Sequence, residues 1–199
     1  MKPNYAKQLL KNTTDGEGRE MIDWILYDSL PITASAVNNL VFFQNTIGGV
    51  TRNRTNMKSA GMLPSPQSFA VTEISFHVNN VLPAFGAGGA APTELPDNAI
   101  FKLFTWDFIL DPSRDYEGYG YEFHHPEMYW NDTATTLAVN SFPLNPEKVK
   151  RFDVPIMIPT ARAFSVVANF TAPATAVGGF VTATSLMFCH LKGYLRRNS

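Results

Sequence analysis

The sequence predicts an all-β protein, either a β-sandwich or a β-barrel, and three observations support this. Four segments alternate apolar and polar side chains with a period of two, as strands do when successive side chains point to opposite faces of a sheet. Stretches rich in Gly, Pro and Asn separate these segments, as turns and loops separate strands. Segments with a helical apolar period are few and short. The four alternating segments are residues 67–78, 100–110, 163–171 and 179–191.

Length and composition fit one domain with a sizeable core. The chain has 199 residues, 45% of them hydrophobic, with 15 Phe among them. All-β chains of about this length commonly form one undivided domain, and this apolar content excludes a disordered chain. We expect the core to include ten residues of the alternating segments: Phe69, Val71, Ile74, Phe76, Phe104, Trp106, Phe164, Val166, Met187 and Phe188.

Taken in order, the chain divides into an arm, a domain and a tail. Residues 1–20 are predicted to form an N-terminal arm, with a helical turn too short to be stable alone. Residues 21–195 form the β domain. Its first segment, residues 21–30, fits a strand and a helix equally well, and residues 39–44 predict a further short strand. Residues 196–199 form a basic C-terminal tail.

Three long irregular stretches interrupt the predicted strands. They cover residues 45–66, 85–98 and 111–146, and two short strand candidates lie at 135–140 and 154–158. Loops of this length in a compact domain are usually functional or reach across a neighbour. We therefore expect these loops, together with the chain ends, to supply most of the contact between subunits in an assembly.

Charge is balanced overall and unevenly distributed. The formal net charge is −1, with 16 basic and 17 acidic residues, so the chain as a whole is not built to coat nucleic acid. Residues 94–132 are strongly acidic, whereas both ends are basic. Any one of these charged clusters fits ordinary surface charge. Together, the acidic segment and the two basic ends fit a polarised molecule whose ends face an anionic partner. The basic candidates for assembly or interior contact are Lys2, Lys7, Lys11, Arg52, Arg54, Arg196 and Arg197.

The single cysteine and the N-terminus bear on the cellular compartment. Cys189 excludes an intramolecular disulfide and lies in an apolar strand pattern, where a buried thiol acts as a small hydrophobe. The first residues contain no apolar signal-peptide core, and no run reaches the ~18 apolar residues of a membrane span. We expect folding in a reducing cytoplasm.

No catalytic motif stands out, and we expect no enzyme activity and no cofactor. His124 and His125 are adjacent in an extended segment and would point to opposite sides, so structural or surface roles suit them better than a metal site. The serines show no G-x-S-x-G elbow, and the Gly-rich turns lack the lysine and helix of a phosphate loop.

An aromatic stretch at residues 115–130 is the best candidate for a binding surface. Tyrosine and tryptophan dominate protein contact surfaces and stack on sugars. Capping one end of a sandwich is an equally good explanation for them. The candidates are Tyr116, Tyr119, Tyr121, Tyr129 and Trp130.

The order of strands and turns resembles that of the small single jelly-roll capsid proteins of tailless, icosahedral bacterial viruses. The resemblance rests on Phe42-Phe43-Gln44, on residues 55–57 and 61–66 leading into the strand at 69–78, and on the final strand running into residues 191–197. It covers about residues 20–195. It implies a single jelly-roll β-sandwich of eight strands, with long loops and short terminal arms that build a shell.

Three functions follow as hypotheses. The leading one is a virion structural protein, a major capsid subunit made in the host cytoplasm, whose partners are copies of itself and other virion proteins. Its basic ends would face the genome or an internal membrane, its acidic segment would face outward, and it would have no small-molecule substrate. The second is a fibre, spike or decoration domain that binds a glycan or host protein through residues 115–130. The third is a cupin-like metal enzyme using His124 or His125.

Overall fold

The protein is all-β, with two antiparallel four-stranded sheets. The computed structural model describes residues 19–33, 36–81, 100–111, 113–123, 149–173 and 181–198. Within those ranges helix is confined to two short turns, at residues 100–101 and at Gly120–Phe123. The strands are β1 (Arg19–Pro31), β2 (Asn39–Phe42), β3 (Ser68–Val81), β4 (Phe104–Leu110), β5 (Ser113–Tyr119), β6 (Lys150–Ile158), β7 (Phe164–Phe170) and β8 (Val181–Asn198).

Strand pairing is nested about the short β4–β5 connection. Sheet A has the order β1-β8-β3-β6 and sheet B the order β2-β7-β4-β5. Strand β1 pairs with β8, β2 with β7, β3 with β6 and β4 with β5, and all four pairs are antiparallel. Every connection except β4–β5 therefore crosses from one sheet to the other. This arrangement places β1 and β2 at one lateral edge of the two sheets, and β5 and β6 at the other.

The core lies between the sheets and is largely aromatic. Phe76 of sheet A packs edge-on against Phe42, Phe104 and Phe123, with ring centroids 5.8, 5.3 and 5.0 Å away. Such edge-to-face pairs add stability beyond the area that they bury. Nine of the ten predicted core residues are buried; Phe188 is the exception. Met187 and Cys189 on either side of Phe188 point inward, so Phe188 points to the outer face of sheet A. Its register partners there are Ser29 of β1 and His77 of β3.

Several element boundaries differ from the sequence-based expectation. Residues 21–30 are strand, because pairing with β8 along the whole of β1 decides what local periodicity left open. A strand, β5, lies inside the stretch that was predicted as one long loop at 111–146. Residues 100–103 form a turn before β4. The predicted arm residues 1–18, residues 82–99 and residues 124–148 lie outside the described residues.

The final strand runs further than expected. β8 continues to Asn198, and its Arg196 and Arg197 pair with Met21 and Glu20 of β1. These two arginines, predicted to lie in a tail, are therefore part of sheet A. On the other side of β8, Gly193 allows a close approach to β3, because a Cβ there would stand 1.9 Å from the carbonyl oxygen of Ala70.

Candidate functional site

The first long loop is held against its own domain, along the free edge of β1. The Asn56 side chain accepts a hydrogen bond from the Tyr27 amide at 2.9 Å and donates one to the Ile25 carbonyl at 2.6 Å. The Asn56 amide in turn donates to the Tyr27 carbonyl at 3.2 Å. The loop thus satisfies backbone groups that an edge strand would otherwise expose.

Asp28 joins this loop, β1 and β2 from inside the protein. Its carboxylate is fully buried and accepts hydrogen bonds from the Phe43 amide at 2.6 Å, the Ser29 amide at 3.0 Å and the Asn45 side chain at 3.2 Å. Burial raises the pKa of Asp28 above its ordinary value of 3.8, although these hydrogen bonds act in the opposite direction. The group is a structural junction, and no signal in the sequence distinguished it from other acidic residues.

A groove lies beside this loop on the outer face of sheet A. Its volume is about 870 Å³, and its wall combines basic, acidic and aromatic side chains from the loop, β1, β3 and β8. Arg52 and Lys58 stand on the loop side, with Tyr27 donating to the Arg52 carbonyl at 2.5 Å. Of the two predicted loop candidates, Arg52 therefore lines the groove, whereas Arg54 donates to the Ser29 side chain and carbonyl at 3.3 Å.

Tyr194, across the groove from this loop, lies close to two carboxylates. Partial burial, and then the negative charges of Asp23 and Glu73, raise the pKa of Tyr194 above its ordinary value of 10.0. Its phenol, like any tyrosine phenol protonated at neutral pH, can act as a hydrogen-bond donor.

Three of the predicted tyrosines are exposed at the opposite lateral edge. Tyr119 and Tyr121 are each 58% exposed, and their rings stack with centroids 5.4 Å apart and planes 22° apart. Tyr116 packs on Phe152 of β6 at 4.9 Å and so joins the two sheets. Tyr129, Trp130, His124 and His125 lie outside the described residues.

Glu122 fixes the short turn that carries Tyr121. Its carboxylate accepts from the Trp106 indole at 3.3 Å and from the Lys150 ammonium at 2.7 Å, so it ties β4, β6 and the turn together. Gly118 makes room for this arrangement, because a Cβ there would meet Glu122 at 2.5 Å and Trp106 at 2.6 Å. The turn that carries Tyr121 is therefore held by contacts from both β4 and β6.

Of the basic candidates at the two chain ends, Arg196 and Arg197 lie in the described residues. Lys2, Lys7 and Lys11 lie outside those residues. Arg196 is half-buried on the outer face of sheet A, between Met21 and Ser68, and its Nε is buried with no hydrogen-bond partner. It is an integral part of the sheet surface.

Chemical groups for metal or thiol chemistry are not assembled in the described part of the chain. No group of three or more His, Cys, Asp or Glu side chains there is placed to hold a metal ion. Cys189 is fully buried, and burial raises the pKa of its thiol well above the ordinary value of 9.0. No helix among these residues is long and apolar enough to cross a membrane.

Comparison of the sequence with protein-family models gave no match, and comparison with curated proteins gave no significant match. Function must therefore be argued from the fold and the surfaces described above.

Proposed function

We propose that the chain is a virion structural protein, a capsid subunit with a single jelly-roll fold that assembles with copies of itself into a closed shell. The observation that carries this proposal is the nested strand order, β1-β8-β3-β6 over β2-β7-β4-β5. A jelly roll is an eight-stranded, two-sheet fold of two Greek keys, and viral capsid domains are among its main users.

Lectins and cupins share this architecture, so surface features must distinguish a capsid subunit from them. Surface features favour assembly over catalysis. Exposed large apolar side chains occur on edge strands of both sheets, and the groove on sheet A is lined by charges of both signs. Apolar groups on exposed edges are what an assembling subunit buries against its neighbours.

Electron microscopy of the purified protein tests the proposal directly. The expected result is closed shells of uniform diameter, in the virion or after assembly in vitro at high protein concentration. A protein that remains monomeric under all assembly conditions would contradict the capsid function. Trimeric stalks would instead favour the second function below.

The stacked tyrosine pair supports a second candidate, a fibre, spike or decoration domain that binds a glycan. Two stacked rings, each 58% exposed, offer aromatic surface of the kind on which sugar rings stack. A glycan array followed by titration with Tyr119→Ala and Tyr121→Ala tests it. Binding that these variants abolish would support this function, and absence of any glycan binding would reject it.

A further inference from the structure

The exposed large apolar residues lie mainly along two opposite lateral edges. We define the first edge as β1, β2 and the loop residues 51–58 that cover β1, and the second edge as β5, β6 and the turn Gly120–Phe123. The first edge carries Trp24, Ile25 and Val41; the second carries Tyr116, Tyr119, Tyr121, Val154 and Met157. Tyr116 also packs on Phe152 within the domain, and Tyr119 and Tyr121 stack on each other.

The first edge is exposed on both faces of its outermost strand. Trp24 and Ile25 are consecutive residues and point to opposite faces of β1, yet they are 44% and 45% exposed. Both faces of β1 are therefore partly exposed at this point. Trp24 and Ile25 also line the groove beside Arg52 and Lys58, so apolar surface and positive charge are adjacent.

The second edge projects apolar side chains from a bulge. Val71 pairs with Ile156, and Glu73 pairs with Arg151. A step of two residues along β3 therefore matches a step of five residues along β6. The extra residues lift Val154 away from the core, and it is 70% exposed although the alternation would place it inward. Pro155 in this bulge has no amide hydrogen, which prevents simple strand addition here.

The two edges carry opposite charge. Arg52 and Lys58 are exposed on the first edge, whose strand β1 also contributes the exposed Asp23. Glu117 and Asp153 are exposed on the second edge. Two basic groups of the second edge contact carboxylates within the domain: Lys150 contacts Glu122 at 2.7 Å, and Arg151 contacts Glu73 at 2.9 Å.

We propose that the first edge of one copy of the chain binds the second edge of the next copy, side by side, with Trp24 and Ile25 packed against Tyr119, Tyr121 and Val154. Arg52 and Lys58 then face Glu117 and Asp153 across the rim. This proposal rests on the proposed function only in requiring self-assembly. Because the two surfaces differ, the contact is head to tail, and it generates a ring when the rotation between copies closes.

Charge reversal on each edge tests the pairing. Arg52→Glu with Lys58→Glu makes the first edge acidic, and Glu117→Lys with Asp153→Lys makes the second edge basic. Either double variant alone should raise the concentration needed for oligomer formation at least about tenfold, measured by light scattering and sedimentation, since like charges then meet across the contact. An equal mixture of the two, or one chain carrying all four changes, should restore assembly.

A control reverses one basic charge away from both edges. Arg162→Glu changes a charge just before β7, a central strand of sheet B, and it should assemble like the wild type. Circular dichroism checks that every variant is folded. Assembly of either edge variant at the wild-type concentration, or failure of the mixture to recover, overturns the pairing.

The same samples separate this inference from the capsid function. Wild-type rings that depend on both edges but never close into shells would reject the capsid function and leave the edge pairing standing. Shells that form equally well from wild type and edge variants would reject the edge pairing and leave the capsid function standing. A wild type that stays monomeric rejects both.

Discussion

At the scale of single residues, two backbone positions depend on neighbours that no local pattern reveals. Phe43 is buried in a left-handed backbone conformation, with φ of 70°, which a bulky residue adopts only when its surroundings hold it there. The 2.6 Å hydrogen bond from its amide to Asp28 supplies that restraint. Gly193 occupies the other such position, where two backbones approach too closely for any Cβ.

Replacing Asp28 should affect stability strongly. Asp28→Ala leaves the Phe43 and Ser29 amides and the Asn45 side chain without this acceptor in a buried site. We expect a loss of about 3–5 kcal/mol in the free energy of unfolding, measured in denaturant. A loss below about 1 kcal/mol would show that water or other groups replace the carboxylate.

The free energy of unfolding should depend on pH through the charge of Asp28. Asp28→Asn isolates this dependence, because it keeps the size of the side chain and removes its titration. Since burial raises the folded-state pKa above 3.8, the folded protein holds this proton more tightly than the unfolded chain. The stabilisation linked to that proton is complete below pH 3.8 and is lost as pH rises through the folded pKa. The wild-type free energy of unfolding, minus that of the variant, should therefore fall with rising pH; an increase would mean a lowered pKa.

Adding one methyl group at Gly193 should disrupt sheet A. In Gly193→Ala the new Cβ would lie 1.9 Å from the Ala70 carbonyl oxygen, and backbone on both strands must move. We expect a loss of about 3 kcal/mol or more in thermal or denaturant unfolding. Gly48→Ala is the matched control, because nothing lies within 4 Å of its Cβ, and it should change stability by no more than about 0.5 kcal/mol. Equal effects of the two changes would contradict the close approach.

At the scale of elements, the first long loop acts as a cover for an edge strand. Asn56 makes the contacts that a neighbouring strand would otherwise make, at Ile25 and Tyr27. Its side chain both accepts and donates, which an amide can do and a carboxylate cannot. This explains how a stretch of 22 residues with little regular structure stays closely packed on the domain.

Removing the Asn56 side chain should loosen this cover without unfolding the sheets. Asn56→Ala should speed hydrogen exchange at the Tyr27 amide and lower the free energy of unfolding by about 1–2 kcal/mol, because two hydrogen bonds are lost. Asn53→Ala, at an exposed position of the same loop, serves as the control and should leave this amide protected. Unchanged exchange at Tyr27 in Asn56→Ala would show that the amide is protected by other means.

At the scale of the whole molecule, the nested pairing brings the first and last strands together. Arg19 pairs with Asn198, so the chain enters and leaves the domain at the same place. Residues that precede β1 therefore start at the end of sheet A where β8 finishes. Under the capsid hypothesis those residues contact neighbouring subunits and are not required by the domain itself.

Deleting residues 1–11 tests that separation of roles. The truncation removes no residue of the described strands, which begin at Arg19, so its unfolding free energy should match that of the full chain within about 0.5 kcal/mol. Under the capsid hypothesis its assembly, followed by light scattering, should be impaired. Normal assembly would show that the arm is dispensable, and loss of folding would show that it belongs to the domain.

The sequence by itself determined the fold class, most of the core and the position of β3, β4, β7 and β8, because alternating side chains reflect burial directly. It also identified the tyrosines at residues 116–121 as surface candidates. Only the tertiary structure decided that residues 21–30 are strand, that Phe188 faces outward and that Arg196 belongs to a sheet. The physical reason is that register and sheet order come from contacts between residues far apart in sequence, such as Arg19 with Asn198. The two edges, and the charges that distinguish them, exist only once those distant strands have paired.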